Sequence, residues 1–254
     1  MLLTTRTLDQ LKIRDERAFR HIQLYGRLKK SLIDDGFRFA IAPPGSSWQR
    51  VLFLNLSFWN AAEPSDILQD ESIDADVVTH AAWHNLARKA MSSSTDALFM
   101  GEAIASAFDL YLVGRILGHV KSSSFLKTQL PAMAAVAADA GVEEGDFEVL
   151  IQSVVADPER AFEELRQLLF DATTALLEAK GVGEAAALCH QFDQHRFGCL
   201  LHHYELSTWV LYARAQARAT HDPAVRALDE QLRKAPVSLD LLEASWLNGS
   251  FPAR

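Results

Sequence analysis

The sequence is poor in cysteine, glycine and proline, and it has no long uninterrupted apolar run. Only Cys189 and Cys199 occur, too few for a disulfide framework or a four-cysteine zinc site. Twelve glycines and eight prolines in 254 residues argue against a turn-rich β fold and for long helices. No stretch approaches the roughly 18 successive apolar residues of a membrane span. The opening Met1-Leu2-Leu3-Thr4-Thr5-Arg6 lacks the apolar core of a secretory signal. Positive charge is short as well: 25 Lys and Arg face 33 Asp and Glu, for a formal charge of −8. Phosphate neutralisation needs clustered cations. A nucleic-acid or membrane partner is therefore not expected, and the expected setting is reducing and cytoplasmic. Gly-x-Gly-x-x-Gly, phosphate-loop and Gly-x-Ser-x-Gly motifs are also missing, which removes the nucleotide and α/β-hydrolase chemistries they carry.

What is present is a 49% hydrophobic content, enough for one large core or two small ones and too much for a disordered chain. Residues 8–34 place Leu11, Phe19, Ile22, Leu24, Leu28 and Leu32 near helical spacing, with Gly36 as the stop, and predict one amphipathic helix. Its cations, Arg14, Arg17, Arg20, Arg27, Lys29 and Lys30, alternate with Asp9, Asp15, Glu16, Asp34 and Asp35, the pattern of a solvated face. Phe37 to Ala42 and Val51 to Phe58, joined by Pro43-Pro44-Gly45-Ser46-Ser47, read as a hairpin. Trp48, Phe53, Phe58 and Trp59 around it read as core. Helices are expected at 74–91, 96–117, 125–140, 146–155, 159–180, 184–219, 222–234 and 238–247. Ser92 to Thr95 offers one N-cap, and Asp157-Pro158 and Asp222-Pro223 offer two more. The expected fold is mainly α with a small β element (α+β). A lobe over 1–120 carries the hairpin at about 37–58, and a helical lobe over 121–254 packs on it, or the two form a single domain.

His80 and His84 are four residues apart on a predicted helix, so their rings leave one face and can grip one transition-metal ion. The next helix, from Ala97 to Gly114, is apolar around nearly its whole circumference, which marks it as buried. Glu102 and Asp109 interrupt it, seven residues apart, with Ser106 between them on the same stripe. A buried carboxylate is costly without a cation, a metal or strong donors. Glu102 thus completes a two-histidine, one-carboxylate metal set, and Ser106 or Asp109 supports a histidine from behind. The competing interpretation is a structural network in which these acids pair with Arg88, Lys89, Arg115 or the histidines.

The stretch His80-Ala81-Ala82-Trp83-His84, followed after 17 intervening residues by Glu102 and then Ser106 and Asp109, resembles the active site of gluzincin-type metallopeptidases. The resemblance runs from Asp76 to Gly114. It implies a zincin-like lobe, zinc ligands His80, His84 and Glu102, and a peptide or protein substrate. The family's general-base Glu follows the first histidine, and here that position is Ala81, which takes no proton. Two histidines and one carboxylate also describe the facial triad of non-haem Fe(II) oxygenases, which needs no such Glu. Zinc and Fe(II) both stay open, as do an atypical hydrolase, an oxygenase and a metal-binding relic.

A second cluster, Cys189, His190, His195, Cys199, His202 and His203, falls within the predicted helix 184–219. There His195, Cys199 and His202 would share one face. Three well-angled ligands rarely come from one straight helix. The expectation is a core stripe through Cys199, Leu206, Val210 and Ala213, with His202 or His203 supplying the acid or base that Ala81 lacks. Trp83 lies off the histidine face and reads as packing. The rival class for the whole protein is a non-catalytic helical binding or regulatory module.

Overall fold

The structure, a computed structural model, describes residues 4–41, 65–68, 70–120, 122–215 and 221–249. It is mostly helical with a small β part in two sheets, as the composition predicts. Two compact units divide the chain, Met1–Asn85 and Leu86–Arg254.

The first unit holds the strands. β1 (Thr4–Thr7) runs antiparallel to β3 (Arg38–Ile41), and β3 runs parallel to β4 (Ser65–Leu68). β2 (Lys12–Arg14) and β5 (Ser72–Asp74) form a separate parallel pair. The single helix expected over 8–34 is therefore wrong in its first half. Leu8–Gln10 is a 3₁₀ turn, β2 follows, and only the short α1 (Glu16–Phe19) and α2 (Gln23–Asp34) are α-helical. Asp15, at φ 55°, redirects the chain. Arg14 then clamps β2 to β5 through two bonds to Asp74, 2.9 and 2.8 Å long. Strand pairing with a distant segment overrides local periodicity here. α2 keeps the predicted face, with Leu24, Leu28 and Leu32 buried. The predicted strand at 51–58, the turn before it and the aromatic cluster lie outside the described residues. Within them, β3 finds its partners in β1 and β4.

β5 leads directly into α3 (Ala75–Ala90), which carries Asp76 in its first turn and Arg88 and Lys89 in its last. That order suits the helix dipole. The division between the two units falls inside this helix, after Asn85. On the first-unit side, Asn85 donates to Asp35 at 2.6 Å and Trp83 is fully buried.

In the second unit, α4 (Thr95–Leu117) is the central helix. Ser94 caps it by accepting from the Ala97 N–H, and almost every side chain along it is buried. α4 is long and apolar enough to cross a membrane, yet 89% of its most apolar window is buried inside the protein, as befits a core helix. α5 (Ser124–Asp139), α6 (Glu144–Ala156) and α7 (Pro158–Glu178) pack against it. Ser123 and Asp157 serve as N-caps, and Pro158 sits in the first turn of α7. A Cβ added at Gly114 would lie 2.7 Å from the Val154 carbonyl oxygen, so α4 and α6 meet closely only because this residue has no side chain.

The expected helix 184–219 is broken. α8 (Val182–His190) ends in turns, a 3₁₀ segment spans Gly198–Tyr204, and α9 (Leu206–Ala215) follows. The Gly198 backbone comes so near Phe192 that an added Cβ would stand 2.3 Å from the Phe192 carbonyl oxygen. Glu205 adopts φ 49°. The close approach at Gly198 and the left-handed Glu205 mark bends after α8 has ended at His190, and periodicity alone does not see them. α10 (Pro223–Lys234), α11 (Ser238–Leu242) and a π-helical turn (Glu243–Leu247) complete the described chain.

Candidate metal centre

His80 and His84 stand one turn apart on α3, and Glu102 lies in the second turn of α4. The rings of the two histidines are 4.8 Å apart at their centroids and tilted by 54°. Their Nε2 atoms are 3.1 Å apart. One donor atom from each of His80, His84 and Glu102 lies within 4.8 Å of the other two. His84 and Glu102 are 8% and 6% exposed, and His80 is half-buried.

The chemistry of the three donors fits a divalent transition metal. Ligand atoms at about 2.0–2.2 Å from one ion stand roughly 3 Å apart in neighbouring positions and about 4.2 Å apart across it. The 3.1 Å nitrogen spacing falls in the first range without adjustment. A Glu102 oxygen lies within 4.8 Å of both nitrogens, close enough for rotamer adjustment to bring all three donors onto one ion. Two neutral imidazoles and one carboxylate leave at least one coordination position for water or substrate. His80, the least buried of the three, is where solvent reaches the group. The cluster can hold a metal ion, and its donors suit Zn(II) and Fe(II) alike.

Ala81, the residue in the general-base position of the gluzincin pattern, is buried. Ser106 is buried one turn beyond Glu102 on α4, and Asp109, one turn further, is half-buried. Burial lowers the proton affinity of His203 against an opposing pull from the Asp109 charge, and burial raises that of Tyr204 with Asp109 adding to it.

The second histidine cluster does not share a helix face. His190 is exposed and bonds Asp193 at 2.8 Å. His195 sits in a turn and accepts the Phe197 N–H at Nδ1, 3.1 Å away. His202 and His203 lie on the 3₁₀ segment, His202 exposed and His203 half-buried. Neither belongs to the His80–His84–Glu102 group. Cys189 and Cys199 are free thiols, and burial raises the proton affinity of each. The core stripe is real from Leu206 through Val210 to Ala213, while Cys199 is half-buried.

Sequence reasoning missed the partners of His203. Its Nε2 lies 3.2 Å from Gln129 Oε1 on α5, and its ring meets Tyr204 edge-on at 4.9 Å and 86°. The separation of 74 positions between Gln129 and His203 leaves no local signal of that contact. No protein-family model, curated protein or solved structure matches this chain.

Proposed function

We propose that the protein is a metal-dependent enzyme in which His80, His84 and Glu102 hold Zn(II) or Fe(II). The observation that carries this reading is the 3.1 Å separation of the two Nε2 atoms, with a Glu102 oxygen inside the same 4.8 Å set. An ion held there would polarise a bound water or substrate oxygen. The order His-x-x-x-His and then Glu is that of a zincin-like site, and by that analogy the substrate is a peptide or protein segment. Ala81 supplies no base, so the chemistry is either an atypical hydrolysis with the base from elsewhere or an Fe(II) oxygenase reaction. Ser106, one turn from Glu102, supports the ligand shell from behind. The acidic composition fits a cytoplasmic protein without nucleic-acid or membrane partners.

A second reading draws on the same distance. An Nε2–H of one histidine donating to the other's lone pair also spans 3.1 Å. In that case His80, His84 and Glu102 are a structural polar network in a non-catalytic binding module. Reconstitution separates the two. Tag-free protein incubated with Zn(II), or anaerobically with Fe(II), and then desalted retains one ion per chain if the first reading holds. His80→Ala and Glu102→Ala lose it while keeping the wild-type circular dichroism. Wild-type protein that retains no ion from either metal leaves the structural reading standing.

A further inference from the structure

The turns between α8 and the 3₁₀ segment are closed by His195. Its backbone N–H donates to the Phe192 carbonyl at 2.9 Å, and its carbonyl accepts the Gly198 N–H at 2.7 Å. Its ring Nδ1 accepts the Phe197 N–H at 3.1 Å, a bond that reaches two residues forward as an Asn or Asp side chain does in a turn. A backbone N–H only donates, so Nδ1 keeps its lone pair and the neutral ring carries its hydrogen on Nε2. Phe197 is fully buried, and the His195 ring lies against it with 5.9 Å between centroids.

Among the described residues, the charged groups that act on this half-buried ring are Glu164 and Asp171 from α7 and Arg196 from the turn itself. Both acids already have arginines, Glu164 with Arg160 and Arg196, and Asp171 with Arg233. Little of their charge is left for an imidazolium, and burial holds His195 below the usual histidine range. α8 has no buried residue. It is tethered by its packing on α7 and by the turns that follow it.

We infer that His195 is an acid-sensitive latch. The neutral ring holds the Phe197 N–H, and a proton taken from solvent by Nδ1 sets two N–H groups face to face, so the turn opens and α8 loses its anchor at that end. The latch works with or without a metal at His80, His84 and Glu102. Its sign follows from competition for one lone pair. The closed turn is complete with the ring neutral, above about pH 6.5, and is lost as the pH falls through the lower folded value.

Hydrogen exchange at the Phe197 amide and NMR titration of the His195 ring, followed together on the full-length protein between about pH 7 and about pH 5, test the latch. Once corrected for intrinsic exchange, Phe197 protection is expected to fall about tenfold as the ring protonates, while amides in the middle of α7 keep theirs. His195→Asn presents Oδ1 near the place of Nδ1 and cannot titrate, so it is expected to keep Phe197 protected at both ends of the range. His195→Ala is expected to leave it unprotected at both. The latch is overturned if wild-type Phe197 protection is unchanged across the titration of the ring, or if the ring stays neutral until the whole protein unfolds. It is equally overturned if His195→Asn loses protection as wild type does, or if His195→Ala is as protected as neutral wild type. The wild-type measurement decides even where a variant fails to fold.

Discussion

Ala81 and His203 make opposite demands on a catalytic reading of single residues. Ala81 is buried, and no rotamer makes a methyl group a base, so Ala81→Glu places a carboxylate next to His80 in an apolar position. The expected outcome is a stability loss of about 1–3 kcal/mol, the cost of burying a polar group imperfectly, visible in urea melts before any gain in hydrolysis. His203 has its own pH signature. Burial lowers its proton affinity in the folded protein, so the unfolded chain binds that proton first as the solution is acidified. Its contribution to stability is therefore complete above about pH 6.5 and is lost as pH falls through the lower folded value. Thermal melts of wild type and His203→Gln, compared between neutral and mildly acid pH, are expected to show a steeper acid-side loss in wild type. Equal slopes would remove the desolvation account. Glu16 shows the carboxylate counterpart, since a 2.5 Å bond from Lys29 lowers its proton affinity. Lys29→Ala is expected to cost about 1 kcal/mol or less, with the deficit present above the ordinary Glu range and shrinking as acid protonates Glu16 in both proteins.

At the scale of elements, the helices that announce themselves are those with chemistry at their ends. Ser94, Ser123, Asp157 and Asp222 each accept a backbone N–H where the sequence places a cap or a break. α4, α5, α7 and α10 accordingly start within a residue or two of expectation. Residues 8–34 and 184–219 were illegible for physical reasons. In the first, β2 is an extended segment only because β5 lies beside it. In the second, Gly198 and Glu205 bend a chain whose apolar spacing continues through the turn. Close packing of these elements makes two sharp predictions. Gly114→Ala drives a Cβ against the Val154 carbonyl, a backbone atom that cannot swing aside, and is expected to cost about 1–3 kcal/mol in urea melts. Arg166 is fully buried, paired with Glu163 at 2.6 Å and Asp229 at 2.9 Å. Arg166→Met takes the buried cation from both carboxylates, leaving Asp229 with Arg233 and Glu163 with Gln167, and is expected to cost about 1–3 kcal/mol. A loss under 1 kcal/mol in either variant would contradict the packing described.

For the molecule as a whole, the mainly helical architecture was legible because apolar content, scarce glycine and scarce proline constrain fold class without any long-range contact. The candidate centre was legible for a narrower reason: its ligands come from two successive helices, so helical spacing alone aligns His80 with His84. The acid in the next, apolar helix then marks the third donor. Helical spacing did not reveal the Gln129 partner of His203, since that contact arises only when α5 and the 3₁₀ segment meet. The central claim is that His80, His84 and Glu102 hold a metal ion. Elemental analysis of desalted protein, after separate reconstitution with Zn(II) and anaerobic Fe(II), tests it most directly. The account predicts one ion per chain in wild type and near none in folded His80→Ala and Glu102→Ala. Wild type without metal, or variants that bind as much as wild type, would contradict it.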